Sequence, residues 1–208
     1  MTSTIPHQEP QLQPPGAGLP FFQGLFLKYW LYPRLIKKYD GNASVDAMVR
    51  ETARIIELAG PLDEDAFFTR VLIDPLPGLE DSSRYWSVAM VMEHLIICMR
   101  PMTQIAQTLA AGKTMNANTS PANVKPKGGR TLSKEQWIKL FDDVTNECAG
   151  LLRQIATRDD VAHPAKDAPR LGHPFFGDIH ARGWIWVMGV HPTTHRRQVQ
   201  RIIQGLNN

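Results

Sequence analysis

The sequence predicts an all-α protein, an up-down bundle of four helices, and three observations lead to this fold class. Apolar residues recur at helical spacing in four stretches, at roughly residues 45–58, 83–111, 134–158 and 178–206. The segments between them are rich in proline and glycine, and none alternates apolar and polar residues as a half-buried strand does. Four amphipathic helices bury their apolar stripes most simply against one another.

The length and composition fit one soluble domain that buries its own core. The chain has 208 residues, of which 43% are hydrophobic, and a net charge of +3 from 23 basic and 20 acidic side chains. Because the two signs nearly balance, composition gives no support to a nucleic-acid binder. No apolar run reaches the roughly 18 residues of a membrane span, and no signal sequence is expected. With only Cys98 and Cys148 in the chain, we expect free thiols and a cytoplasmic location.

The chain divides into a tail, an extension and the bundle. Residues 1–20 are rich in proline and glycine, so this tail is expected to be mobile or draped over the body. Residues 21–42 form an aromatic and basic extension, interrupted by Pro33. An interfacial membrane helix is one interpretation. We favour packing on the bundle or on a second subunit, and a homodimer would cover its apolar surface. Residues 43–208 form the bundle.

The first two bundle helices begin at polar residues and end at turn residues. Asn42–Ser44 are expected to cap the first helix, and Gly60 to end it. Asp81–Ser83 are expected to cap the second helix, in which Pro101 predicts a kink or a break. The core face of that second helix is predicted to hold Trp86, Met90, His94 and Ile97.

A long loop separates the second helix from the third. Residues 112–130 are poor in apolar side chains, which predicts a disordered loop or a lid over a site. Ser133 and Gln136 have the spacing of a capping box at the start of the third helix. Asp178 is expected to cap the fourth helix, which follows a proline-rich loop.

Two histidines in the fourth helix are the first candidate ligands. His191 and His195 lie four residues apart on the apolar side of this helix, so their rings can converge on one divalent ion. Pro192 lies between them and removes a backbone donor. The resulting kink either adjusts the angle between the two rings or spoils it.

His94 is the candidate third ligand, and its spacing leaves two readings open. A buried imidazole needs a partner, which is either a metal or a backbone carbonyl or Glu93. Three imidazoles would leave one coordination position open, as in a catalytic site. Cys98, one turn after His94, would close the site if it joined, although such a thiol is usually a small core residue.

The ordered set of motifs resembles the DinB/YfiT-like superfamily of metal-binding four-helix bundles. Trp86-Ser87 followed by Glu93-His94-Leu95 is similar to its early helix, and His173-Pro-Phe-Phe-Gly177 followed by His191-x-x-x-His195-x-x-Gln198 to its last. The resemblance covers roughly residues 44–206 and implies that His94, His191 and His195 bind nickel or zinc. It also implies a role for Gln198 beside the ligands or the substrate.

What the resemblance implies about activity is a class of reaction. The superfamily includes transferases and isomerases in which a low-molecular-weight thiol binds the metal beside a small-molecule substrate. We therefore expect a metal-dependent thiol S-transferase, with the catalytic residues unknown. A hydrolase that uses metal-bound water is the alternative enzyme. A bundle with a structural metal, or with none, is the non-catalytic alternative.

Overall fold

A computed structural model describes residues 10–207, and this part of the chain is mostly helical. In chain order the helices are α1 (Phe21–Leu25), α2 (Tyr32–Leu35), α3 (Gly41–Ala59), α4 (Glu64–Phe68), α5 (Val88–Ala110), α6 (Lys134–Ala156), α7 (Asp159–Ala162) and α8 (Ala181–Leu206). The strands are β1 (Val71–Leu72), β2 (Tyr85–Trp86), β3 (Leu171–His173) and β4 (Gly177–Ile179). The four long helices confirm the predicted all-α bundle.

The bundle is a ring of four helices around one core. Helix α3 packs against α8 and α6, and α5 packs against the same two helices, so α3 and α5 lie diagonally. The core side of α3 carries Val45, Met48 and Ile55, all fully buried. Because α5 and α8 are neighbours, side chains from their facing stripes meet inside the bundle, where such folds build their sites.

Close backbone contact fixes α8 against α3 near the histidine pair. A Cβ atom added at Gly189 would lie 2.6 Å from the carbonyl oxygen of Ser44. Arg196 directly follows His195 in α8. Its Nε lies 2.6 Å from Glu51 Oε2 of α3, and the Glu51 side chain is buried. The neighbouring arginines hold the pKa of Glu51 below its ordinary value, although burial acts in the opposite direction. A paired buried charge of this kind fixes the register of two helices.

Several predicted helix ends need correction. Asp40, not Asn42–Ser44, caps α3, because its side chain accepts a hydrogen bond from the amide of Ala43. Ser87 caps α5 in the same way, and the predicted caps at 81–83 form a separate 3₁₀ turn. Asp178 lies in β4, and α8 begins after His180. The capping box of Ser133 and Gln136 is confirmed.

Two short hairpins precede the helices that carry histidines. Strands β1 and β2 pair antiparallel, with Val71 opposite Trp86, and β3 and β4 pair with Leu171 opposite Ile179. Trp86 therefore lies in β2 and not on the helix that carries His94, where the sequence predicted it. The segments are only two or three residues long, too short to show a periodicity in the sequence.

The described part of the tail packs on the body. The amide of Gln13 donates to Asp81, and the amides of Gly16 and Gly18 donate to Glu80. The tail was expected to be either mobile or draped over the body, and these contacts fit the second expectation for residues 10–20. Residues 1–9 lie outside the described part of the chain. The division into tail, extension and bundle stays a prediction.

The extension is helical from Phe21 to Lys38 and contacts the bundle through one side. Helices α1 and α2 are joined by a wider helical turn, Phe26–Leu31, and a 3₁₀ turn, Ile36–Lys38, follows. The Tyr32 ring stacks on Phe176 with centroids 5.1 Å apart and meets Trp186 at 5.5 Å. Packing on the bundle was the expected arrangement, and the predicted homodimer stays a prediction.

No helix within residues 10–207 is long and apolar enough to cross a lipid bilayer.

Candidate metal centre

The structure brings the three predicted histidines together between α5 and α8. His94 Nε2 lies 3.3 Å from His191 Nε2, and His195 Nε2 lies 3.0 Å from the same atom. His94 and His195 are 8% and 4% exposed, and His191 is half-buried. Helix α8 continues across Pro192, and the rings of His191 and His195 still meet.

The hydrogen bonds of the outer ring nitrogens fix two tautomers. His94 Nδ1 lies 2.8 Å from the carbonyl oxygen of Val124, which can only accept, so Nδ1 carries the proton. His195 Nδ1 lies 2.7 Å from Gln198 Oε1, and Gln198 Nε2 donates over 2.7 Å to the carbonyl of Ser83. That second bond orients the amide with its oxygen toward His195. Both Nε2 atoms therefore present lone pairs toward His191.

These lone pairs are the physical reason to expect a cation. His191 Nε2 carries at most one proton, which it can donate to one neighbour. At least one of the two short contacts therefore joins two lone pairs with no proton between them. Four-coordinate zinc at 2.0–2.1 Å from each nitrogen sets nitrogens about 3.3 Å apart, close to the separations found here. The donor set therefore fits a divalent ion.

Burial also keeps the imidazoles in the neutral form that binds metals. It lowers the pKa of His94 to about 4, against a small opposing effect of the Val124 carbonyl. It lowers the pKa of His195 to about 3, with a further contribution from His94. The pKa of His191 lies well below its ordinary value for the same reason, and His195, His94 and His173 add to the effect. At neutral pH no proton competes for the lone pairs.

Cys98 is a fourth donor within reach. The ligand atoms of His94, Cys98 and His191 all lie within 4.8 Å of one another. Cys98 Sγ lies 3.7 Å from Nε2 and 3.8 Å from Nδ1 of His94, so it is nearly equidistant from both nitrogens instead of aligned with one lone pair. Burial raises the pKa of this thiol to about 12. A bound ion would have to displace the thiol proton before Cys98 could coordinate.

Glu93 orients the loop that supports His94 and is not a free base. Its carboxylate accepts the amides of Lys127 and Gly128 at 3.0 and 2.9 Å. The same loop supplies the Val124 carbonyl on His94, and Thr119 Oγ1 donates to the carbonyl of Gly172. Residues 117–128 of this loop therefore lie beside the site. Its role as a lid stays a prediction.

A third histidine-bearing element lies near the centre. His173 stacks on Phe176 with centroids 4.8 Å apart and, together with His191, lines a cavity beside the three histidines. Its Nδ1 accepts the amide of Phe175 at 3.2 Å, so the proton resides on Nε2. His180 lies beside a separate small cavity, with Nδ1 3.2 Å from the carbonyl oxygen of Pro169.

Sequence reasoning missed the groups that orient the ligands. The partners of His94 and Gln198 are the backbone carbonyls of Val124 and Ser83, and any residue type supplies a carbonyl. Trp86 was predicted to lie on the core face of the helix that carries His94. It lies in strand β2 instead, and its ring is parallel to that of His195, with centroids 6.2 Å apart.

Comparison with known proteins supplies the family. Neither the curated proteins nor the solved structures gave a match. The family model of the DinB superfamily matches residues 40–199, which include all four long helices in whole or in large part, and all three histidines. The chain belongs to the DinB superfamily.

Proposed function

We propose that this protein is a metal-dependent transferase that activates a low-molecular-weight thiol at a three-histidine site. His94, His191 and His195 would hold the ion, with nickel or zinc as the expected metal. The observation that carries the proposal is the pair of Nε2 lone pairs, fixed by Val124 and Gln198, that point at His191. Family membership and the clustered ligand atoms of His94, Cys98 and His191 support metal binding.

The chain's own residues orient the ligands and exclude water. Gln198 is fully buried and holds His195 in one tautomer, as Val124 does for His94. Trp86 and Trp184 close the apolar surroundings of the site, being 4% and 2% exposed. Held by these residues, a divalent ion would supply one effect, a lowered pKa for a thiol that reached its open position, so that the thiol could react as thiolate with an electrophile.

An open position separates this proposal from a structural metal. If Cys98 is not a ligand, three imidazoles leave room for an added thiol. If Cys98 is a ligand, the site is closed. The position of Cys98 Sγ beside the His94 ring, nearly equidistant from its two nitrogens, favours the open form. The cytoplasmic location stays a prediction.

The test is a titration of cobalt-substituted protein with cysteine and 2-mercaptoethanol. The native protein is titrated beside the Cys98→Ala variant, so that a thiolate-to-cobalt absorption band from Cys98 itself is recognised by its loss in the variant. The band from added thiol must appear in the native protein, because the variant would have an open position even if Cys98 closed the native site. We expect one ion per chain and a band that grows and saturates with thiol. In His94→Ala, metal content should fall sharply, with circular dichroism as the folding control. Metal-loaded native protein without a band from added thiol would overturn the transferase proposal, and unchanged metal content in His94→Ala would remove the third ligand.

A further inference from the structure

The centre lies beside a cavity much larger than a metal and a small thiol need. This cavity has a volume of about 550 Å³ and runs from the histidines to the helical extension. Ligand pockets for drug-sized molecules occupy roughly 300–1,000 Å³. Its apolar wall includes Leu27 and Leu31 of the extension, Met102 and Ile105 of α5, and Val187 and Val190 of α8.

The two charged side chains in the wall, Glu80 and Lys125, are either hydrogen-bonded within the protein or exposed to solvent. Glu80 is 8% exposed, and its carboxylate accepts the amides of Gly16 and Gly18. Lys125 is exposed on the surface of the loop at 112–130. Away from the metal centre, a charged ligand would therefore find no free buried counter-ion among the described wall residues, and its desolvation would be uncompensated.

Three N–H groups in the wall have no hydrogen-bond partner among residues 10–207. Two are the buried indole Nε1–H groups of Trp86 and Trp184, and the third belongs to His173. Because His173 Nδ1 accepts the amide of Phe175, the proton on Nε2 has no hydrogen-bond partner among residues 10–207. His173 and His191 both line the cavity, and the His173 ring packs on Trp184 of α8, two turns before His191, with centroids 5.2 Å apart. The His173 donor therefore lies on the α8 side of the cavity, the side that carries His191.

We propose that this cavity binds an extended, uncharged apolar molecule with one hydrogen-bond acceptor, such as a carbonyl, at the end nearest the histidines. The His173 Nε2–H would bond that acceptor, and the apolar wall would take the rest of the molecule. This inference rests on the proposed function, because it names the class of electrophilic substrate that the thiol would meet.

Binding is tested on metal-free protein, so that the result is independent of the thiol titration. The probe is N-phenyl-1-naphthylamine, a neutral apolar fluorophore. Val190→Trp fills the cavity, and Ile203→Trp, on the same helix but outside the wall, is the matched control. We expect at least about tenfold weaker binding in the first variant and little change in the control. Leu27→Asp, on the extension, should also weaken binding without touching the bundle core. Absence of binding to the native protein, or equal binding in Leu27→Asp, would overturn the proposal.

The acceptor is tested by displacement of the same probe. In the native protein 2-undecanone should displace it at a lower concentration than undecane does. In His173→Phe, which keeps the ring, this preference should disappear while undecane is unaffected. Equal displacement by ketone and alkane in the native protein, or a preference unchanged in His173→Phe, would overturn the role of His173.

A separate observation concerns the outer side of the extension. Phe21, Phe22 and Tyr29 are 72%, 83% and 66% exposed, and Trp30 is 46% exposed. The same segment carries Lys28, Arg34, Lys37 and Lys38, all exposed, and residues 21–39 contain no aspartate or glutamate. Aromatic side chains together with unopposed cations are typical of helices that lie in the interface of an anionic membrane.

We infer that residues 21–38 dock on an anionic lipid surface. A second copy of the chain is the competing occupant, but a two-fold interface would bring the same cations of both copies together. Lipid phosphates and carboxylates complement them instead. The inner side of the segment lines the apolar cavity through Leu27 and Leu31, so docking would bring that cavity next to the lipid.

Vesicle co-sedimentation of the full chain tests the docking. Binding should occur with vesicles that contain 30% phosphatidylserine and be much weaker with pure phosphatidylcholine. Reversal of two charges in K37E/K38E should weaken binding about 20-fold or more, at roughly fivefold per charge. K139E/K166E, which changes the net charge equally on the other surfaces, should bind nearly as the native protein does. Lipid docking would be overturned if both double variants lost vesicle binding equally, or if the native protein did not bind at all. It would also be overturned if light scattering showed a dimer that Phe22→Ser dissociates.

Discussion

The hydrogen-bonded chain from Ser83 through Gln198 to His195 makes the most specific prediction. In Gln198→Met the side chain keeps its length but loses both hydrogen bonds, one to His195 Nδ1 and one to the Ser83 carbonyl, each 2.7 Å long. Gln198 is fully buried, so water cannot replace either bond without rearrangement. Each unpaired buried group costs about 1–3 kcal/mol, so unfolding free energy should fall by about 2–6 kcal/mol.

Metal affinity should fall in the same variant for a distinct reason. Without the Gln198 oxygen, the His195 ring is free to take the other tautomer or another rotation. The loss of a partner that orients a ligand typically costs 10–100-fold in affinity. Competition with a chromophoric chelator measures this loss, and circular dichroism verifies that the variant is folded. Gln204→Met, on the same helix but exposed, is the control and should bind metal normally. A folded Gln198→Met with native affinity would refute the claim that this chain of bonds orients a ligand.

Three further predictions follow from the fold around the site. In Glu93→Ala the loop at 112–130 loses the carboxylate that accepts two of its backbone amides. Amide hydrogen exchange at residues 124–128 should therefore accelerate, and metal affinity should fall. Unchanged exchange would contradict the role of Glu93 as an anchor of the loop. In Gly189→Val, α8 must move away from Ser44, so the melting temperature should drop by several degrees, and Gly150→Val, with open space around it, should change it less. Metal-free protein should lose stability as the pH falls below 6.5, the ordinary pKa of histidine. In the folded protein the pKa values of His94 and His195 are lowered to about 4 and about 3. The unfolded chain therefore takes up protons at a higher pH than the folded chain does, and protonation favours unfolding. The loss should reach about 1.4 kcal/mol per pH unit for each histidine and level off near the folded pKa values, and a flat unfolding free energy between pH 6.5 and 4 would contradict the neutral cluster.

The helical periodicity made the bundle and its histidines predictable. His94, His191 and His195 lie on apolar stripes, and a period of 3.6 residues places such stripes in the core whatever the loops do. The helix starts were less predictable, because several adjacent residues can cap. Asp40 and Ser87 do so here, and the polar residues a few positions away do not.

Groups that depend on tertiary folding could not be predicted from the sequence. The Val124 carbonyl reaches His94 only because Glu93 binds the amides of the same loop, and backbone groups leave no pattern in the sequence. The free Nε2–H of His173 likewise follows from a local bond to the amide of Phe175. The resemblance to the superfamily supplied the ligand set, and the hydrogen bonds supply its physical reason.

X-ray absorption at the metal edge of the loaded protein tests the central claim most directly. The account predicts imidazole scattering from three histidines, with nitrogens at about 2.0–2.1 Å, and a shell that loses nitrogen in His191→Ala. A sulfur neighbour at about 2.3 Å that disappears in Cys98→Ala, or a shell without imidazole, would contradict it.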